Sequence, residues 1–162
     1  MKKLPSIEKN GLVIGLVTSL TLVMYFMLMK LLGLDQVLEL RFFNLIILTS
    51  AVCYGINKLK KELHEEEFYL KGWAQGILIS AVAAISFGVF MSFYISYFDA
   101  PLMLEVQRQM NIQTMNGVVV FMAIMMEGMA SGVVITLCAM QYFKSPDDVK
   151  DHPFLKKGKI SE

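Results

Sequence analysis

Charge is scarce in this sequence: only 18% of its 162 residues are Asp, Glu, Lys or Arg, while 56% are hydrophobic and the mean hydropathy is +0.55. A soluble domain carries about a quarter of its residues charged, so this chain has too few polar side chains to cover its apolar ones. It reads as a small integral membrane protein whose surrounding medium is the lipid bilayer. The net charge is +1, and the basic residues flank apolar runs instead of forming one stripe, so no nucleic-acid partner is expected. Cysteine and histidine are equally sparse. Cys53 and Cys138 each lie inside an apolar run, where a thiol behaves as a small hydrophobe, and there is no CxxC pair. His64 and His152 fall in polar segments, which leaves a zinc or haem site within the membrane without its commonest ligand, so no metal or cofactor is expected. No nucleophile stands at usable spacing from a base, and there is no glycine-rich phosphate loop. Catalysis is therefore not expected.

What the chain does have is long uncharged runs. Gly72 to Phe98 is 27 residues without a charge, more than the roughly 20 that cross a hydrocarbon core of about 30 Å. Within it small residues recur at every fourth position: Gly72, Gly76, Ser80, Ala84, Gly88, Ser92 and Ser96. Small side chains at that spacing let another helix backbone approach closely. A four-residue step overshoots one turn by about 40°, so the row is expected to wind round the helix and serve more than one neighbour. Gly11 to Met29, preceded by a basic start, is a second run, of 19 residues. That exceeds the apolar region of a secretory signal, about 7–15 residues, and lacks its small-residue cleavage site, so it reads as a first span carrying a GxxxG pair at Gly11 and Gly15. Phe42 to Asn57 has only 16 residues and is expected to begin before Arg41 in order to span. Gly117 to Phe143 is interrupted by Glu127 alone and carries another GxxxG pair, Gly128 and Gly132.

These runs predict an all-α membrane protein, a four-helix transmembrane bundle over 1–143 with spans at about 11–31, 37–57, 72–98 and 117–143. The mixed-charge stretch Lys58 to Lys71 reads as a solvated connector that continues a helix out of the membrane. Between the third and fourth spans, Asp99 as cap and Pro101 in a first turn suggest a short interfacial helix. Residues 144–162 read as a flexible polar tail. Lys and Arg number three before the first span, four after the second and five in the tail, against two and one in the other loops. That bias places both termini in the cytoplasm.

Glu127 is the one residue that asks for a functional explanation. An ionised carboxylate near the middle of a span is costly, so it is paired, neutral or lining water. At helical spacing it looks out from a face of Ala123, Ile124, Ala130, Ser131 and Val134, a face expected to pack inward. Its expected partners by depth are Thr21 or Tyr25, Asn44 or Arg41, and Ser86, Ser92 or the Gly88 backbone. Glu127, Arg41, Asn44 and Ser131 thus form the candidate polar site. The structural alternative is a hydrogen-bonded glutamic acid that fixes helix register. Met122 and Met126, with Met125 and Met129, form two MxxxM pairs beside it, a pattern that thioether-lined copper(I) channels also use, although methionine occurs 13 times here and ordinarily fills apolar gaps.

The segment from Phe68 to Pro101, with Phe68, Gly72, Gly76, Tyr94, Tyr97, Asp99 and Pro101, resembles the core of an uncharacterised family of four-pass inner-membrane proteins of Bacteroidota. The resemblance implies the fold, the four spans and a bacterial inner membrane, with Glu127 falling in the helix that matches the family's last; it implies no activity. The leading expectation is a structural, assembly or interaction role through the small-residue faces, within the bundle, in a homo-oligomer or with another membrane protein. The alternative is a proton- or cation-coupled carrier or channel subunit that uses Glu127.

Overall fold

The computed structural model describes residues 7–33, 42–61, 65–98 and 117–143. Every regular element among them is a helix: α1 (Ile7–Leu31), α2 (Phe42–Lys60), α3 (Glu65–Tyr97) and α4 (Gly117–Phe143). All four are long and apolar enough to cross a membrane. Arg41, Asp99, Pro101, the segment expected to form an interfacial helix and the polar tail lie outside the described residues.

Each helix follows from an uninterrupted apolar run, and its ends follow from local chemistry. α1 stops where Gly33 adopts φ 67°, with the Gly33 N–H donating to the Lys30 carbonyl at 3.0 Å and the Leu32 N–H to that of Leu28 at 3.1 Å. A left-handed glycine of this kind satisfies carbonyls that the helix would otherwise leave open. α2 also runs past Asn57, through Lys58 and Leu59 to Lys60, which makes 19 residues or about 28 Å; its expected start before Arg41 falls outside the described residues. The mixed-charge stretch after Asn57 is therefore divided. Leu59 is buried in α2, Phe68 is buried at the start of α3, and only 61–64 separates the two helices.

The helices alternate in direction. α3 touches the other three, α2 also touches all three, and α1 and α4 barely meet across them. The main core lies between α2, α3 and α4, where Val52, Ile56, Ile79 and Met140 are almost wholly enclosed. A second cluster, Met91, Ile95 and Val120 with Phe26, Phe90 and Tyr94 against them, fills the end at Tyr97 and Gly117. The outward faces are apolar too: Leu16, Leu20 and Met24 on α1, Phe42 and Ile46 on α2, and Met122, Met126 and Val134 on α4 are all exposed. Apolar surface this extensive is unfavourable in water and is what a lipid-facing bundle presents.

The small-residue row of α3 meets one neighbour, not several. Gly72 faces Met140, Gly76 faces Thr136, Ser80 faces Gly132, Ala84 faces Gly128, Gly88 faces Phe121 and Ile124, and Ser92 and Ser96 face Gly117. α4 thus also presents a row that advances in fours. Rows of this kind incline about 26° to a helix axis, and two of them interlock along their length when the helices cross. The expected drift of 40° per step is taken up by that crossing. The closeness is real at backbone level: a Cβ added to Gly128 would lie 2.6 Å from Ala84 Cβ. Ser92 Oγ also donates to the Gly117 carbonyl at 2.8 Å, tying the two ends together. On the opposite side of α3, Gly11 and Gly15 of α1 admit Leu78 and Val82, and Gly55 of α2 admits Ile79. The glycine pairs are thus occupied within one chain.

Candidate functional site

Glu127 is the eleventh residue of α4, about 15 Å along the helix from Gly117. Its neighbour Gly128 is locked against Ala84, and one residue is a rotation of about 100°, so Glu127 comes out at the edge of the α3 contact. The face expected to pack inward therefore divides: Ala123, Ile124 and Ser131 are half-buried, while Glu127, Ala130 and Val134 are exposed. The physical reason is the intimacy of the glycine contact. α3 takes up the ladder side of α4, and the carboxyl cannot share that side.

The carboxyl opens onto a half-open cleft of about 370 Å³ to which all four helices contribute. Leu22 comes from α1; Phe42, Asn44, Leu45 and Leu48 from α2; Ser80, Ala83, Ala84 and Phe87 from α3; and Ile124, Glu127, Gly128 and Ser131 from α4. The cleft exists because α3 holds α4 through its small residues, while α2 meets α4 through larger ones. Asn44, the third residue of α2, lines it with a buried Oδ1 that has no hydrogen-bond partner among the described residues. Ser131 Oγ donates to the Glu127 carbonyl at 2.6 Å, and Ser80 Oγ donates to the Gly76 carbonyl at 3.0 Å. Among the described residues nothing hydrogen-bonds to the Glu127 carboxyl.

Of the polar residues expected beside Glu127, the structure brings Asn44 and Ser131 to the same cleft. Arg41 lies outside the described residues. Thr21 Oγ1 instead donates to the Val17 carbonyl at 2.9 Å, Tyr25 stacks on Phe43 at 6.0 Å, and Ser92 is engaged with Gly117. Ser86 does not line the cleft, and Gly88 is covered by Phe121. The methionine pairs do not converge either: Met122 and Met126 are exposed, and neither lines the cleft. Among the described residues no three His, Cys, Asp or Glu side chains come together as a metal group.

Sequence reasoning assigned Ser80 to packing alone and overlooked Phe42 and Phe87 as walls. It also passed over Gln75, which is 1% exposed in α3 with its Oε1 unpartnered among the described residues. An uncharged amide inside an apolar run was the available signal, since burying one without a partner costs about 1–3 kcal/mol. What the cleft can do chemically is accept hydrogen bonds and balance positive charge. No family model, curated protein or solved structure matches the chain.

Proposed function

We propose that the chain is a multi-pass bacterial inner-membrane protein that binds a proton or cation at Glu127, as a proton- or cation-coupled carrier or channel subunit. One observation carries this reading: a carboxyl midway along an apolar helix, exposed in a cleft with Asn44 and Ser131 and unpaired among the described residues. A charge at that depth in lipid costs at least about 2.5–3.5 kcal/mol, so a group left open there calls for a ligand that neutralises it. A glutamic acid kept only to fix register would be expected against a donor. The lysine and arginine bias favours cytoplasmic termini, which a C-terminal reporter active only in the cytoplasm would support. The resemblance to the Bacteroidota family is consistent with this membrane and adds no activity.

A structural or assembly role through the small-residue faces was the leading expectation; of its two forms, packing within the bundle is the one the helices of this chain use at their glycines, which leaves Glu127 without a part in it. An interaction role remains as a second reading, favoured by the open side of the cleft between α2 and α4. There a helix of a second copy or of another membrane protein would cover Glu127. Four spans are few for a carrier, so a coupled carrier also needs an oligomer.

The deciding experiment is thermal unfolding of the protein in lipid nanodiscs against pH and a panel of inorganic cations, for wild type and Glu127→Gln. A ligand bound only by the folded state raises stability by RT ln(1 + [L]/Kd). A cation- or proton-dependent shift in wild type that disappears in Glu127→Gln is the expected result. No response in either protein refutes the binding reading, and a change of oligomeric size in Glu127→Gln would then favour the partner.

A further inference from the structure

We infer that the cleft at Glu127 takes a small lipophilic ammonium ion, an N–H-bearing cation on an apolar body, in preference to a bare metal ion. This rests on the reading of Glu127 as a cation site and adds the class of ligand. The first argument is the balance of donors and acceptors. Ser80 and Ser131 have already committed their hydroxyl protons to the Gly76 and Glu127 carbonyls, so toward the cleft they can only accept. Asn44 Oδ1 is a buried acceptor without a partner among the described residues, and the Glu127 carboxylate is acceptor-only when ionised. Against these acceptors the Asn44 amide N–H is the sole side-chain donor on the described lining, and no cationic side chain stands there. A ligand with several N–H donors and one positive charge restores that balance.

Size and lining give the second argument. A space of about 370 Å³ is far more than a bare ion fills, and it lies in the range of roughly 300–1,000 Å³ that small organic molecules occupy. A metal would need several converging anionic or imidazole ligands, and the described residues bring no such group together. The rest of the wall is Leu22, Leu48, Phe42 and Phe87 with small alanines, which suits an apolar body. Aromatic rings beside an ammonium add cation–π attraction once water is excluded. Phe42, Leu45 and Glu127 of the lining are exposed, so a ligand with an apolar body can reach the carboxyl.

The test uses the full chain in nanodiscs at neutral pH with phenylethylammonium as probe and propylbenzene as a molecule of nearly the same shape without charge or N–H. Phenylethylammonium should raise the unfolding temperature of wild type in a saturable way, whereas propylbenzene should not. Glu127→Gln removes the charge-assisted contact and should weaken binding by about tenfold or more. Leu45→Trp, placed at the exposed rim where the fold tolerates bulk, should block the cleft and abolish the shift even if Glu127→Gln does not fold. The inference is overturned by no shift with the ammonium, by an equal shift with propylbenzene, or by an ammonium shift that survives both substitutions. If inorganic cations or protons stabilise wild type through Glu127 while phenylethylammonium does nothing, the ligand class is wrong and the cation site stands. If none of them acts, both fall.

Discussion

Gly132→Ala adds a single methyl group at the closest point of the α3–α4 contact. The new Cβ would overlap Ser80 Cβ and come within 2.5 Å of its Oγ, and Ser80 is held in place because that Oγ donates to the Gly76 carbonyl. In an isolated helix the change would help, since alanine is favoured over glycine by about 1 kcal/mol. Overpacking a tight interior costs about 1–3 kcal/mol, and here the obstacle is a short, tethered side chain that cannot swing away. The net expectation is a loss of about 1–2 kcal/mol, or roughly 2–8 °C in unfolding temperature for a chain of this size. Gly88→Ala is the internal control. Its added Cβ would meet Phe121 at 3.1 Å, near the end of a side chain that can rotate, so helix propensity should roughly offset the contact. The decisive member is the double variant Ser80→Gly with Gly132→Ala, which moves the methyl group's space from one helix to the other. It should recover at least about 1 kcal/mol relative to the sum of the single changes, the coupling expected of residues in direct contact. Circular dichroism during thermal unfolding in nanodiscs reads wild type, Gly132→Ala, Ser80→Gly, their double variant and Gly88→Ala. If Gly132→Ala proves as stable as wild type and the double variant shows no coupling, the intrachain ladder contact is wrong.

Two further outcomes follow from single contacts. Lys60→Met removes a hydrogen bond of 2.8 Å from Nζ to the Phe143 carbonyl and a cation–π contact to Phe68, so it should cost about 1–2 kcal/mol and speed amide exchange in the last turn of α4; unchanged exchange there would count against the latch. Gln75→Met keeps the shape of a side chain that is 1% exposed while deleting an acceptor unpartnered among the described residues, so the unfolding temperature should rise by an amount equivalent to about 1 kcal/mol, and a fall would mean that the Gln75 amide is hydrogen-bonded inside the bundle.

Much of the architecture was legible because hydropathy along a run is compared with a single length, the bilayer thickness. α4 covers the same 27 residues as the apolar run that Glu127 interrupts, and the row from Gly72 to Ser96 marks a close helix contact before any neighbour is known. α2 was less legible. Lys58 and Lys60 look like the start of a connector, and it is tertiary partners, Asn10 at 3.4 Å, the Phe143 carbonyl at 2.8 Å and the Phe68 ring, that hold them to the bundle. Glu127 stood out as a charge inside an apolar run, yet its surroundings could not be read. Helical spacing lists the residues on its own face and says nothing of where the other helices stand around it.

The sequence by itself determined the four membrane-length helices found among the described residues, roughly where each runs, and which of their faces can approach closely. The tertiary structure alone decided that the α3 row belongs to α4, that the glycine pairs are occupied within one chain, and that Glu127 opens into a cleft beside Asn44. Propensity and hydropathy are properties of one segment, whereas the neighbour, crossing direction and side of contact arise only when two surfaces interlock. One residue of rotation, from Gly128 to Glu127, separates a packed rung from an exposed carboxyl.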